Sequence, residues 1–186
     1  MNRIKYNLSN FRYIRNNLTL DSAKLYLNAM IMPYMTYCVT SWALACKTTL
    51  RPVEVVYKQA LKVLDRKPNS HHYCNILKKH ELLSWENIIT FADSTLVYKI
   101  LHGLAPPPLN DFIKVNTNRS TRAGSRGDCL VPFRKSVFGQ SVFSYRASHS
   151  WNKIPSDIRD LPTLTSFTKH LKKWLLENQK CTHTES

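Results

Sequence analysis

Two stretches of the chain carry apolar residues at the spacing of an amphipathic helix, and this periodicity constrains the fold more than any other feature. In both stretches the apolar side chains recur every three or four residues, and lysines fall largely outside the stripe. The first stripe consists of Leu50, Val53, Val56, Tyr57, Ala60, Leu61 and Leu64, and the second of Leu164, Phe167, Leu171, Trp174 and Leu175. Glycine occurs only 4 times in 186 residues, which disfavours a β-sandwich with many tight turns. We therefore predict a mainly α protein in which each helix buries one face.

Capping residues place the first helices. Thr19 is a typical N-cap, so we predict a helix that starts there, runs to about Ala45 and is kinked near Pro33. A second helix starts after Thr48 or Thr49 and carries the first apolar stripe.

Further start and stop signals follow along the chain. A short helix is predicted near residues 73–79, and a long one between the N-cap Ser84 and Gly103, which is soon followed by three prolines. A last helix begins near Thr163 or Thr165 and carries the second stripe. Residues 1–103 are therefore predicted to form a helical bundle with short connections.

The composition changes after Gly103. Residues 104–127 are rich in proline and then basic, which is typical of a linker, and residues 128–180 are predicted to form a small α+β C-terminal module before a tail at 181–186. Residues 129–133 are short, apolar and bounded by turn residues, as in a strand. Residues 141–145 fit either a strand or the start of a helix.

The net charge of +15 and the pI of about 9.8 indicate a polyanionic partner, because excess like charge repels within a compact fold. We expect nucleic acid rather than an acidic membrane. Large aromatic side chains lie among the basic ones, and rings offer faces on which bases stack. Phe133, Phe138 and Phe143 fit stacking and core packing equally well, whereas Trp151 and Asn152 are interpreted as structural. The candidate nucleic-acid ligands are Arg119, Arg122, Arg126, Arg134, Lys135 and Arg146.

No residue pattern predicts a cofactor, a metal or a small-molecule substrate. His71, His72, Cys74 and His80 lie close in sequence but lack the paired cysteines of a tetrahedral zinc site, and we interpret them as polar loop residues. Neither a glycine-rich phosphate loop nor a nucleophile elbow occurs.

The 5 cysteines show no regular spacing, and no secretory signal precedes them, so we expect an intracellular protein of the nucleus or cytoplasm. Residues 25–46 hold no charged side chain. Proline and polar residues interrupt their apolar content, which favours a buried core helix over a membrane span.

Short motifs occur in an order that resembles the region following the polymerase palm in LINE-type (non-LTR, jockey-like) retrotransposon reverse transcriptases. The similarity covers nearly the whole chain, and it lies in the order and spacing of the motifs. The motifs are LYL at 25–27, MPYMTYC at 32–38, SW at 41–42, YKQALK at 57–62, YKILHGLAP at 98–106, TR at 121–122, VP at 131–132, SWNKIP at 150–155 and the stripe at 167–175.

The resemblance implies that residues 1–103 form a thumb-like bundle, which in this family holds the primer–template duplex. It also implies that the carboxylates that bind the two catalytic metals belong to the palm, upstream of Met1. The sequence FADS at 91–94 is similar to the family's Phe-Ala-Asp-Asp metal motif, but Ser94 replaces the second aspartate and the setting is a helix. We therefore predict no catalytic residue and interpret Asp93 as an exposed helix residue.

Three hypotheses for the function follow. The first is a nucleic-acid-binding C-terminal fragment of a reverse transcriptase that contacts RNA, DNA or their hybrid through the phosphate backbone and has no polymerase chemistry of its own. It is either a pseudogene product or a co-opted binding protein. The second is a protein-interaction module that uses an apolar face left by the missing palm. The third is a non-functional retroelement remnant without a stable isolated fold.

Overall fold

A computed structural model of the chain describes residues 2–116 and 127–179, and these residues are mainly helical. Short 3-10 helices occur at Arg15–Asn17 and Pro107–Phe112, and a π-helix at Leu27–Ile31. The α-helices are α1 (Asn2–Ile14), α2 (Leu20–Tyr26), α3 (Met32–Thr36), α4 (Val39–Trp42), α5 (Lys47–Leu64), α6 (Tyr73–His80), α7 (Trp85–Leu101), α8 (Val137–Ser141), α9 (Phe143–Trp151), α10 (Ser156–Arg159) and α11 (Leu164–Glu177).

The mainly α prediction is confirmed, and the predicted α+β character of the C-terminal module is wrong. Neither described range contains a β-strand; one isolated antiparallel bridge joins Val115 to Cys129. Two backbone bonds form this bridge, from the Asn116 N–H to the Asp128 carbonyl at 2.8 Å and from the Leu130 N–H to the Lys114 carbonyl at 2.7 Å. A strand needs such pairing along its length, and within the described residues the pairing does not continue through residues 131–133. The backbone groups of Cys129 itself bond to a side chain. The Cys129 N–H donates to Asn152 Oδ1 at 2.8 Å, and Asn152 Nδ2 donates to the Cys129 carbonyl at 2.9 Å. The open question at residues 141–145 is decided for helix, because α9 begins at Phe143.

The helix that Thr19 caps is shorter than predicted. The Thr19 side chain accepts a hydrogen bond from the Ser22 N–H at 3.2 Å, as expected of an N-cap. The helix then widens into the π-turn at Leu27–Ile31, immediately before Pro33, where a kink is predicted. It ends at Thr36 and not near Ala45, because Cys38 adopts a left-handed conformation with φ of 50° that interrupts the helical path.

Local signals define the termini of the other long helices. Ser84 caps α7 by accepting from the Asn87 N–H at 3.3 Å, and Thr163 caps α11 by accepting from the Ser166 N–H at 3.2 Å. Gly103 follows α7 with φ of 67°, the left-handed conformation that commonly ends a helix. These three predictions are confirmed.

Helix α7 lies at the centre of the packing. It contacts α4 of the N-terminal half and both α9 and α11 of the C-terminal half, and one continuous apolar core joins these helices. The ring of Tyr98 stacks on Phe167 with centroids 4.4 Å apart, and Phe167 also packs against Trp151 at 5.7 Å. The Tyr98 hydroxyl donates to the Leu161 carbonyl at 2.6 Å, so this large ring is buried with its polar atom paired. The predicted structural role of Trp151 is confirmed.

Candidate nucleic-acid interface

Residues 130–138 lie before α8 and include its first two residues; they are here called the 130–138 segment. This segment carries two aromatic rings and two cations. The side chains of Phe133 and Phe138 are 81% and 63% exposed, and Arg134 and Lys135 between them are exposed as well. No aspartate or glutamate occurs from residue 129 to residue 156. Within the described residues neither cation forms an ion pair, so the segment presents ring faces and unpaired positive charge to solvent together.

The sequence did not decide whether three phenylalanines pack in the core or stack on bases, and their exposure in the structure now distinguishes them. Phe143 is half-buried and packs against the hydrophobic core, so it contributes to the fold. Phe133 and Phe138 are not part of that core. Burying large rings is strongly favourable in water, so two exposed rings within one short basic segment form a candidate contact surface for a partner.

Hydrogen bonds at the N-terminus of α8 fix the backbone position of Arg134. Ser136 caps this short helix by accepting from the Gly139 N–H at 3.0 Å, and Gln140 Nε2 donates to the Arg134 carbonyl at 3.2 Å. Gly139 makes room for the Arg134 stem, since a Cβ at this position would lie 3.2 Å from Arg134 Cβ. Sequence reasoning missed these supporting residues, although a serine directly before apolar Val137 and Phe138 is a usable capping signal.

Arg146, the last of the predicted ligands, is bound inside the protein. Its side chain is 18% exposed and forms two bonds to Asp93, from Nε to Oδ2 at 2.6 Å and from Nη2 to Oδ1 at 3.1 Å. It also donates to the carbonyls of Ser141 at 2.6 Å and Thr40 at 3.0 Å. Its role as a nucleic-acid ligand stays a prediction, and these contacts assign it a structural role as the link between α4, α7 and the end of α8.

The prediction that Asp93 is exposed is wrong. Its carboxylate is fully buried, because the face of α7 that carries it is covered by α9, from which Arg146 reaches it. Burial raises the pKa of Asp93, and the guanidinium of Arg146 opposes this rise. Asp93 is thus engaged in an intramolecular ion pair.

Arg134 and Lys135 are the predicted ligands that the structure leaves exposed. Arg119, Arg122 and Arg126 lie outside the described residues.

Two further polar clusters stabilise loops. Asp65, directly after α5, accepts from Lys79 Nζ at 2.6 Å and lies 2.9 Å from His80 Nε2. Asp128 and Arg159 form a buried pair at 3.0 Å. Among residues 2–116 and 127–179, no group of three histidine, cysteine or acidic side chains is placed to hold a metal ion.

Comparison with known proteins gives no relative: no family model, no curated protein and no solved structure matches the chain. In the described part of the chain, no helix combines the length and apolar content that crossing a bilayer requires.

Proposed function

We propose that the chain binds nucleic acid through the phosphate backbone, as the C-terminal part of a LINE-type reverse transcriptase, and that it has no polymerase chemistry of its own. The observation that carries this proposal is the 130–138 segment, where exposed Phe133 and Phe138 flank exposed Arg134 and Lys135 in an acid-free stretch. The family assignment rests on the order of the sequence motifs.

The residue types of the segment match the two demands of binding single strands without sequence preference. Cations neutralise phosphates and release counterions, which makes the affinity depend on salt. Aromatic faces stack on unpaired bases, and each stacked base contributes about 1–3 kcal/mol. Because neither contact reads base edges, we expect similar affinity for unrelated sequences.

The contributions of charge and of stacking to binding can be measured separately. In Arg134→Ala/Lys135→Ala, two phosphate contacts are lost, so the slope of log affinity against log salt should fall by about 1.4–1.8. In Phe133→Ala/Phe138→Ala the slope should stay constant while single-strand affinity falls by about 30-fold or more, at about 1 kcal/mol or more for each ring. Fluorescence anisotropy with single-stranded DNA, single-stranded RNA and a hybrid duplex, each at several salt concentrations, measures both effects.

A matched control removes the same charge elsewhere. Lys169 and Lys172 are exposed on α11, and Lys169→Ala/Lys172→Ala lowers the net charge by the same two units as the Arg134 and Lys135 variant. If the control weakens binding as much as the segment variants do, general charge explains the affinity and the 130–138 segment is not the interface. If the parent chain shows no salt-dependent binding, the proposed function is wrong.

A protein-interaction module is the second candidate function. An apolar groove of about 420 Å³ lies between α3, the start of α4 and α7, with Ile88, Phe91 and Leu96 in its wall. A partner held in such a groove is bound mainly by apolar contacts, so its affinity should change little with salt. Phe91→Ser would weaken that interaction and leave nucleic-acid affinity unchanged.

A further inference from the structure

A second basic surface lies between α1 and α5, and sequence reasoning did not predict it. These helices enclose an open groove of about 530 Å³, here called the α1–α5 groove. Lys5 and Arg12 of α1 and Arg51 of α5 line it, and no acidic residue does. The cations are spread over 47 positions of the sequence, so only the fold brings them together.

The three cations of the groove keep their charge available. All three are exposed, and within the described parts of the chain none forms an ion pair. Arg12 donates one bond, from Nη2 to Gln59 Oε1 at 3.3 Å, which leaves most of its donors for a ligand. The acidic residue of α5, Glu54, is paired with Lys58 at 2.6 Å and does not line the groove.

We propose that the α1–α5 groove is a second nucleic-acid-binding site that holds a stretch of phosphodiester backbone. Lys5 and Arg12 are seven residues apart on α1, so they are separated by about 10 Å along the helix axis. That distance corresponds to about three base-pair steps along the axis of a duplex, at about 3.4 Å per step. Arg51 lines the groove from α5, so a strand lying in it meets positive charge from both helices.

The neutral groups of the groove suit a phosphodiester backbone and its sugars. Thr48 and Gln59 add a hydroxyl and an amide, and phosphate oxygens in protein–DNA complexes accept from Arg, Lys, Thr and Gln side chains alike. Val55, which is 42% exposed, adds apolar surface beside which a sugar can pack. The net charge of +15 favours a long polyanion in the same way.

This inference rests on the proposed function, but its residues do not overlap with the 130–138 segment, so the two are tested separately. In Lys5→Gln/Arg12→Gln/Arg51→Gln, the loss of three phosphate contacts should lower the salt slope for a 20-nucleotide duplex by about 2–3. The control Lys169→Gln/Lys172→Gln/Lys173→Gln removes equal charge from α11 and should leave most of the slope intact. Circular dichroism checks that both variants keep the helical content of the parent chain.

Chemical footprinting of the unmodified chain gives a readout that does not depend on how a variant folds. Acetylation of Lys5 should slow at least 3-fold when duplex DNA is bound, whereas acetylation of Lys172 should not change. If the parent chain binds DNA but Lys5 is not protected and the triple variant keeps the parent slope, the inference is wrong while the proposed function stands. If polyglutamate binds the groove as tightly as DNA, the assignment to nucleic acid is wrong. If the parent chain does not bind, both proposals fail.

Discussion

Removing Arg146 should destabilise the fold more than removing any exposed cation. In Arg146→Met the carboxylate of Asp93 stays fully buried without its guanidinium partner, and the carbonyls of Thr40 and Ser141 lose a donor. Breaking a buried ion pair from one side costs about 3–5 kcal/mol. For a chain of this length each kcal/mol shifts Tm by about 2–4 °C, so we expect Tm to fall by about 6–20 °C.

A double-mutant cycle identifies the buried charge as the cause. Asp93→Leu/Arg146→Met replaces both partners by apolar side chains, and it should be more stable than Arg146→Met alone because no charge is left buried. Lys172→Met is the exposed control and should change the free energy of unfolding by less than about 0.5 kcal/mol. Urea unfolding followed by circular dichroism measures these three variants and the single variant Asp93→Leu, which completes the cycle.

The pH dependence of the loss of stability in Arg146→Met, here called its deficit, gives a second check. Burial raises the pKa of Asp93, and loss of Arg146 should raise it further. A folded-state pKa above the unfolded value means that the native state binds the proton more tightly, so stability falls as pH rises from the unfolded to the folded pKa. The deficit of Arg146→Met should therefore be smaller at pH 4.5 than at pH 7.5. A deficit below about 1 kcal/mol at pH 7.5, or a double variant no more stable than Arg146→Met, would refute this reasoning.

Three further predictions concern other parts of the chain. Replacing Arg119, Arg122 and Arg126 by Ala should weaken binding to RNA–DNA hybrid equally for unrelated sequences. It should also lower the slope of log affinity against log salt, because each phosphate contact contributes about one unit to that slope. An unchanged affinity and slope would contradict this prediction. Hydrogen bonds from Lys79 and His80 outweigh burial and lower the pKa of Asp65, so the stability deficit of Asp65→Asn, measured by urea unfolding, should be largest at pH 7 and shrink below about pH 4. Hydrogen bonds with Thr48 and Thr49 lower the pKa of Cys46 to about 7, whereas burial raises that of Cys129 to about 12. Iodoacetamide at pH 7 should therefore modify Cys46 before Cys129, and Thr48→Val/Thr49→Val should slow the reaction at Cys46, as measured by peptide mass spectrometry.

The sequence predicts the helix termini well because their causes are local. Ser84 and Thr163 each bond an N–H three residues ahead, and Gly103 needs only its own backbone freedom. The early end of the helix that begins after Thr19 depends instead on the left-handed conformation of Cys38. Non-glycine residues seldom adopt this conformation, so a cysteine in the sequence does not indicate it.

Errors arise where a distant residue decides the outcome. Asp93 was predicted to be exposed because nothing near it in sequence indicates a partner, and its partner Arg146 is 53 positions away. The outcome at residues 129–133 also depends on residues distant in sequence. Lys114 and Asn116 form backbone bonds beside Cys129 that extend no further within the described residues, and Asn152, 23 positions away, bonds both backbone groups of Cys129. The α1–α5 groove is likewise assembled from residues of two separate helices.

Ion pairs engage several of the acidic residues, three of them largely removed from solvent, and so affect which charges a partner meets. Asp65, Asp93 and Asp128 are each engaged with basic side chains at positions largely removed from solvent, and Glu54 is paired with Lys58. Each pair cancels one positive and one negative charge, so it leaves the net charge of +15 unchanged while removing a carboxylate that would otherwise screen its neighbours. The excess charge must then lie on cations without such partners, among them the exposed side chains of the 130–138 segment and the α1–α5 groove. The exterior still carries exposed acidic residues, such as Glu81, Asp111 and Asp160, but the ion pairs lower the number of carboxylates left unpaired and so enlarge the relative excess of cations that a polyanion partner meets.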